Sequence, residues 1–250
     1  MWRKVMLPLS KKYTLIVPDQ RGSGSSDKPL TGYDGPTMAA DIHSLVTQLG
    51  FKKLLVVGHD MGAPVALCYA AAHPENVRAL VYLDEPLPGF NVEEMARFTA
   101  DSPGRLWWYP FHMQPDLAEL LLTGKEREYI DYFVDQHTHL MDPTAMTDLD
   151  RKVYAHNLGS VGGVRGAVGW YRAIFETGSF IRSLGLSKLR LPVLGISGEY
   201  GTPNVGAQMN NVAENVSDVV IKGSGHFVAE EKPEEFVQEL LRFFASCETG

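Results

Sequence analysis

The chain has 250 residues, of which 44% are hydrophobic and 21% are charged, and its formal net charge is -7. This is ordinary globular composition, long enough for one or two domains, and it excludes extended disorder. An acidic chain without any run of Lys or Arg is not expected to bind nucleic acid. No apolar stretch approaches the roughly 20 residues that a membrane span needs, so no membrane contact is expected.

The two cysteines, Cys68 and Cys247, lie inside helical patterns, and buried thiols are preferred over a disulfide as their interpretation. Free thiols fit a reducing compartment, so a cytoplasmic location is expected. No motif points to a metal or a cofactor, and none is expected.

The first third of the chain alternates short apolar runs with helical patterns. In chain order, the predicted elements are a strand at Tyr13 to Pro18, a helix from about Thr37 that stops at Gly50, a strand at Leu54 to Val57, a helix at Met61 to Ala72 and a strand at Ala79 to Leu83. Continuous apolar runs are typical of parallel strands buried on both faces. The alternation therefore predicts an α/β fold with a mostly parallel sheet and flanking helices.

The segment 89–188 differs because aromatic residues concentrate there and helical patterns replace strands. Two of its predicted helices are Leu117 to Leu122 and Glu126 to His137. The alternation then resumes with strands at Val193 to Ile196 and Val219 to Ile221 and a terminal helix from Pro233. We therefore predict a sheet core formed by residues 1–88 and 189–250, interrupted by a helical cap formed by residues 89–188.

The strongest local signal is the segment LLVVGHDMGAPVAL, in which Gly58 and Gly62 flank Asp60 at two residues on either side. Small residues at this spacing, between a buried strand and an Ala-rich helix, indicate a nucleophile elbow. Such an elbow is a strained turn whose flanks have little room for side chains. An ordinary turn with a helix-capping aspartate is the weaker interpretation. The elbow predicts Asp60 beside a helix N-terminus, which stabilises its charge.

An aspartate in an elbow favours displacement at an sp3 carbon, which leaves an alkyl ester on the protein, over the acyl transfer that a serine performs. Hydrolysis of that ester needs a general base, and His226 in the loop GSGHF is the candidate. His59 is expected to point away from the elbow. Solvated or structural roles are expected for His43, His73, His137, His139 and His156.

Three carboxylates compete to orient the histidine. Asp84 is the first polar residue after the strand at Ala79 to Leu83, Glu85 follows it, and Glu199 comes after the run VLGIS. Asp84 is preferred, Glu199 is the alternative acid, and Glu85 ranks lower. Each of the three could instead be a surface charge.

Together these motifs resemble the epoxide hydrolase and haloalkane or haloacetate dehalogenase branch of the α/β-hydrolases, over nearly the whole chain. The segments that carry the resemblance are VPDQRGSGSSDKP, GHDMG, YLDEPLP, GWYRA and GSGHFVAEEKPEEF. The resemblance implies the α/β-hydrolase fold with an inserted cap, Asp60 as nucleophile, His226 as base and Asp84 as acid. Some members carry the acid later in the chain, and Gly201 stands at that position here, which supports Asp84.

By the same resemblance, Tyr171 in GWYRA matches the cap tyrosine that donates a proton to the opening epoxide oxygen, with packing as its alternative role. Trp108 stands where relatives carry a second donor, and its indole can hydrogen-bond an oxyanion without giving up its proton. Tyr109 or His112 is expected to compensate. The backbone N–H of Met61 is the expected oxyanion donor.

The residues after Asp60 separate epoxide opening from dehalogenation. Haloalkane dehalogenases resemble this elbow but place a tryptophan after the nucleophile, and haloacetate dehalogenases place arginines there, where this chain has Met61 and Pro64. Hydrolysis of epoxides to vicinal diols is therefore expected, with haloacetate or haloalkane dehalogenation as the alternative. The expected partner is a small hydrophobic epoxide or halogenated substrate, and a homodimer is left open.

The start of the chain departs most from the family pattern. The family sheet begins with three strands and a His-Gly-x-Pro turn that supplies an oxyanion donor, and none of these precedes WRKVMLPL here. In the family the third strand lies between the counterparts of Tyr13 to Pro18 and Leu54 to Val57, so we expect these two either to pair directly or to flank a gap. We also expect a poorly stable and weakly active chain, with a truncated or non-catalytic binding protein as the second alternative.

Overall fold

The computed structural model describes residues 1–90, 92–97, 106–135 and 139–248, without the side chains of Glu93 and Glu248. Four parallel strands form one sheet in the order β1-β2-β3-β4. The strands are β1 (Leu54–His59), β2 (Val77–Leu83), β3 (Leu189–Gly198) and β4 (Ala213–Ile221). This confirms the predicted α/β class with a parallel sheet.

Helices flank the sheet and fill the segment between β2 and β3. They are α1 (Arg3–Ser10), α2 (Gly35–Gln48), α3 (Gly62–Ala72), α4 (Val92–Met95), α5 (Trp108–Met113), α6 (Leu117–Leu122), α7 (Glu126–Val134), α8 (Asp148–Leu158), α9 (Gly163–Arg172), α10 (Ile174–Leu184), α11 (Val205–Met209), α12 (Val228–Glu231) and α13 (Pro233–Glu248). None of these helices is both long and apolar enough to cross a membrane, as far as the described part of the chain goes.

The sheet is covered on both faces. Val81 and Leu83 of β2 belong to the apolar cluster that contains α1 and α13, whereas Leu80 and Tyr82 belong to the cluster that contains α2 and α3. Each of these four residues is at most 1% exposed. Burial of alternate residues against opposite layers explains why the strand is a continuous apolar run in sequence.

Every described element between β2 and β3 is a helix or a single 3-10 turn, as the pattern of segment 89–188 predicts. The helix at Leu117–Leu122 has the predicted bounds, while α7 ends at Val134 and His137 lies outside the described residues. This helical segment contacts the core directly, because the Gly35 N–H at the start of α2 donates to the Thr177 hydroxyl of α10 at 2.8 Å. The division into two domains stays a prediction.

The predicted strand at Tyr13 to Pro18 is wrong, because residues 14–18 form no ladder with any described strand. A channel of about 500 Å³ lies between this segment and β1, lined by apolar side chains of both and by α1, α2, α3 and α13. The expected gap beside the elbow strand is therefore confirmed. A strand is defined by its ladder with a neighbouring strand, and this segment forms none, so it is not a strand.

Candidate active site

The elbow forms at the carboxyl end of β1. Asp60 directly follows His59 and has φ +51°, a left-handed conformation that is costly for a residue other than glycine. Its backbone N–H donates to the Leu83 carbonyl at 3.1 Å, which continues the β1–β2 ladder by one residue. A tight turn into α3 therefore lifts the Asp60 side chain above the edge of the sheet.

The two elbow glycines are required to different degrees. A Cβ atom on Gly58 would lie 2.4 Å from the Gly62 carbonyl oxygen and 2.6 Å from the Ala63 Cα, so no side chain fits there. A Cβ on Gly62 would meet the side-chain amide of Gln20 at 3.0 Å and no backbone outside α3. The backbone crowding predicted for both flanks is thus confirmed at Gly58, while at Gly62 the close neighbour is a flexible side chain.

Asp84 follows β2 in the same way and is completely buried, with φ +47°. Its carboxylate accepts the Gly198 N–H at 2.6 Å and the Thr202 N–H at 2.8 Å. A Cβ on Gly201 would lie 2.2 Å from the Asp84 carboxylate. Gly201, which favours Asp84 over a later acid in the sequence analysis, thus leaves the space that the Asp84 carboxylate occupies.

His226 lies between these two aspartates. Its Nδ1 is 3.1 Å from Asp84 Oδ1, and its Nε2 is 3.7 Å from Asp60 Oδ1. Burial would lower the pKa of His226, but the hydrogen bonds and charges of Asp60 and Asp84 outweigh burial and raise that pKa well above its usual value. Burial would raise the pKa of Asp60, yet His226 holds it below its usual range. Asp60 and His226 therefore form an ion pair in the resting protein.

The other two candidate acids have different surroundings. Glu199 is exposed, and its carboxylate accepts hydrogen bonds from Lys222 Nζ at 3.0 Å and from the Gly223 N–H at 2.9 Å. Glu85 is only 3% exposed, and it accepts a hydrogen bond from the Tyr109 hydroxyl at 2.7 Å. The residue that holds His226 is thus Asp84, as preferred, and the alternative Glu199 does not take that position.

Tyr171 lies in α9 and is buried. Its ring is edge-on to that of Tyr109, with the ring centroids 5.1 Å apart. Burial, together with the charge of Asp60, raises the pKa of the Tyr171 phenol well above its usual value. The phenol therefore keeps its proton at neutral pH, and the negative charge of Asp60 is one of the causes.

The two residues expected to compensate for Trp108 have other partners. The Tyr109 hydroxyl donates to Glu85, and a ring nitrogen of His112, Nε2, is 2.6 Å from the Tyr129 hydroxyl. The His112 ring lies 4.3 Å from the Tyr171 ring, and burial lowers the pKa of His112 to about 4, so it is neutral. His112 therefore packs against the candidate proton donor.

One histidine, His139, was missed by the sequence interpretation, and a second, His59, lies beside His226 while lining the channel. His139 lines the site with its ring 5.8 Å from that of His226, and its Nδ1 is 2.6 Å from the Phe133 carbonyl oxygen. His59, expected to point away, has its Nε2 2.9 Å from the His226 carbonyl oxygen. Burial lowers the pKa of both to about 4. No sequence motif marks His139, because it comes from a loop of the helical segment.

A family model described as the alpha/beta hydrolase fold matches residues 1–233. The chain belongs to this family. Within it, this hydrolase is 32% identical over 245 residues to the soluble epoxide hydrolase of Corynebacterium sp., covering 98% of this chain and 85% of that protein. The crystal structure of Cfl2 from Burkholderia cenocepacia matches with a TM-score of 0.91 and 36% identity, covering 97% of this chain and 83% of that one.

A second class of relative matches a shorter part of the hydrolase. The fluoroacetate dehalogenase of Burkholderia sp. is 34% identical over 119 residues, which cover 46% of this chain and 38% of that protein. The longer matches place the chain in the epoxide hydrolase branch of the α/β-hydrolases, and it is an enzyme of this fold.

The hydrolase has a small cavity of about 50 Å³ at the carboxyl edge of its sheet. Its lining includes Asp60, Glu85, Trp108, Tyr109, His139 and His226. Within the described ranges, no three His, Cys, Asp or Glu side chains are arranged to hold a metal ion. The carboxylate and histidine groups of the cavity thus face a space that is small and largely aromatic.

Proposed function

We propose that this hydrolase opens epoxides to vicinal diols through an alkyl ester on Asp60. The observation that carries the proposal is the position of His226, 3.7 Å from Asp60 and 3.1 Å from Asp84. A base held by a buried acid and facing a carboxylate is the arrangement that hydrolysis of an aspartyl ester requires. The likeness to an epoxide hydrolase over 98% of the chain supports the same reaction.

In the first step, an Asp60 oxygen attacks an epoxide carbon. The new C–O bond forms as the ring C–O bond breaks, and the ring oxygen takes a proton from the Tyr171 hydroxyl. Tyr171 suits this role because its phenol is protonated and lies near the charge of Asp60. The ion pair with His226 keeps Asp60 ionised, so the nucleophile is present in its reactive form.

In the second step, water attacks the carbonyl carbon of the Asp60 ester. His226 takes a proton from the water, and the Met61 N–H, at the N-cap of α3, stabilises the oxyanion. Esterification removes the charge of Asp60, which is a main cause of the raised pKa of His226, so the imidazole gives up its proton, the Tyr171 phenolate is reprotonated, and His226 is neutral and able to act as base. As the oxyanion collapses, the expelled diol oxygen takes the proton that His226 received from water. The Asp60 carboxyl group then gives its own proton to His226, which regenerates the ion pair.

Dehalogenation is the second candidate, favoured by the likeness to fluoroacetate dehalogenase. The chemistry of the cavity favours epoxides, since none of its described lining residues is an Arg or a Lys that could hold the carboxylate of a haloacid. An uncharged epoxide needs no such cation.

The two functions are separated by measuring diol formation from aryl and alkyl epoxides beside halide release from fluoroacetate and chloroacetate. Diol formation should be faster and should disappear in Asp60→Ala. Faster halide release would reverse the ranking. If the folded protein forms neither diol nor halide, this result would favour a binding protein without turnover.

A further inference from the structure

Glu85 is a buried carboxyl group at the active site that the proposed mechanism does not use. It comes directly after Asp84 and lines the same cavity as Asp60. The left-handed turn at Asp84 sends the two neighbouring carboxyl groups in different directions, Asp84 toward His226 and Glu85 toward Tyr109 and the cavity that Asp60 also lines. Burying a carboxyl group beside a carboxylate costs free energy of folding. The position of Glu85 beside Asp60 therefore needs a physical explanation.

The surroundings of Glu85 favour its protonated form. Its Oε1 accepts the Tyr109 hydroxyl at 2.7 Å, and its carboxyl group lines the same small cavity as that of Asp60. Neither carboxyl group can bond the other unless one carries a proton. Burial and the charge of Asp60 raise the pKa of Glu85 well above its usual value, while His226 lowers that of Asp60. The proton therefore resides on Glu85.

The groups that face Glu85 come from several elements. They are Asp60 of the elbow, Tyr109 of α5, His226 of the loop after β4, Tyr82 of β2 and Tyr171 of α9. The imidazolium of His226 is the one cation among them, and it is already paired with Asp60 and Asp84. If Glu85 were ionised, none of these groups would therefore be an unpaired cation that could balance its charge.

We propose that Glu85 is a further catalytic residue of this hydrolase, whose neutral carboxyl group donates a hydrogen bond to an Asp60 oxygen and stabilises the oxyanion formed during hydrolysis of the Asp60 ester. The inference rests on the proposed function. The proton stays on Glu85 throughout, and its acceptor is in turn the carboxylate, the ester carbonyl and the oxyanion. Since negative charge on that oxygen grows as water attacks the ester, the hydrogen bond strengthens in the hydrolysis step.

The same hydrogen bond acts differently on alkylation. It stabilises the free carboxylate of Asp60, and that stabilisation weakens as the other Asp60 oxygen is alkylated and the charge is lost, so it does not assist attack on the epoxide. Loss of Glu85 should therefore slow hydrolysis and leave alkylation unchanged or faster. Tyr109 is a positioning residue, because its hydroxyl holds Oε1 and so fixes the direction of the proton on the other oxygen.

The test measures alkylation and ester hydrolysis separately by rapid-quench mass spectrometry with styrene oxide. Glu85→Ala should hydrolyse the ester about 100- to 1,000-fold more slowly than the natural enzyme, the usual effect of removing one oxyanion donor. Glu85→Gln keeps an N–H donor and should stay within about tenfold. Glu199→Gln, an exposed control outside the site, should change neither rate.

The pH dependence gives a readout that a structural role would not move. The neutral form of Glu85 is the active one, so hydrolysis by the natural enzyme should fall as the pH rises through the pKa of Glu85, and this fall should be absent in Glu85→Gln. If Glu85→Ala does not fold, the comparison of the pH profiles of the natural enzyme and Glu85→Gln is sufficient to test the proposal.

Hydrolysis at the natural rate in Glu85→Ala, or an unchanged alkaline fall in Glu85→Gln, would overturn the role of Glu85 alone. Failure to find any ester in the natural enzyme would overturn the proposed function together with it. The two failures are therefore distinguishable.

Discussion

The two sides of β1 differ in how completely they are paired. At its carboxyl end, backbone bonds from Asp60 to Leu83 and from Asp84 to Ile196 extend the ladders beyond the strands, and the Asp84 carboxylate accepts bonds from two backbone N–H groups and His226. Along its outer edge, β1 faces an apolar channel of about 500 Å³. Asp60, Asp84 and His226 are thus held by the carboxyl ends of the strands and the loops that follow them.

This difference separates two kinds of perturbation. Changes at the carboxyl ends of the strands should affect the reaction more than the fold, because they alter partners of Asp60 and His226. Changes at the outer edge should affect stability first, because a parallel strand open to a channel has lost part of its cover.

The largest effect is expected from Asp84→Asn. An amide in place of the carboxylate no longer stabilises the charged imidazole and favours the wrong tautomer of His226, which in a comparable triad costs about 10⁴-fold in turnover. Steady-state diol formation measures the effect, and thermal unfolding checks the fold. A loss smaller than about tenfold would mean that Asp84 does not support the base.

Tyr171→Phe is expected to slow alkylation by epoxides about 10²- to 10⁴-fold, since the ring oxygen loses its proton donor. Hydrolysis of an ester already formed should be unchanged. Tyr132→Phe is the matched control, because Tyr132 lies in the helical segment and is 61% exposed. Equal effects of the two substitutions would leave Tyr171 with a packing role only.

The Asp60–His226 pair predicts different pH dependences for the two steps. Because the pKa of Asp60 lies below its usual range, alkylation should stay nearly constant between about pH 7 and about pH 5. Ester hydrolysis needs neutral His226, so it should fall about tenfold per pH unit below the pKa that His226 has in the ester. A parallel fall of both rates on acidification would contradict this assignment.

The residues of the site were predicted more accurately from the sequence than the strands of the sheet were. Asp60 and Asp84 directly follow β1 and β2, and His226 lies in the loop after β4. The three come together because the carboxyl ends of parallel strands meet at one edge. β4 was recognised only at Val219 to Ile221, because this edge strand is largely exposed and lacks a continuous apolar run. The roles of Glu85 and His139 depend on contacts across the cap, which no local pattern contains.

The smallest effects are expected at the outer edge of β1. Its amides that point into the channel should exchange with solvent faster than those of β2, which is paired on both sides. Hydrogen exchange followed by NMR measures this difference. Equal protection of β1 and β2 would mean that the channel is closed in solution.

Stability offers a second measure of the channel. We expect the chain to unfold below about 60 °C, within the usual mesophilic range, because β1 is open to the channel along its outer edge. A cooperative transition above that temperature would contradict this expectation.

The most direct test of the central claim is the mass of the Asp60 peptide in His226→Gln after incubation with an epoxide. Without its base the ester should form and persist, so the peptide should gain the mass of one substrate molecule. Asp60→Ala should show neither the adduct nor turnover. Absence of the adduct, together with diol formation that continues in Asp60→Ala, would show that Asp60 is not the nucleophile.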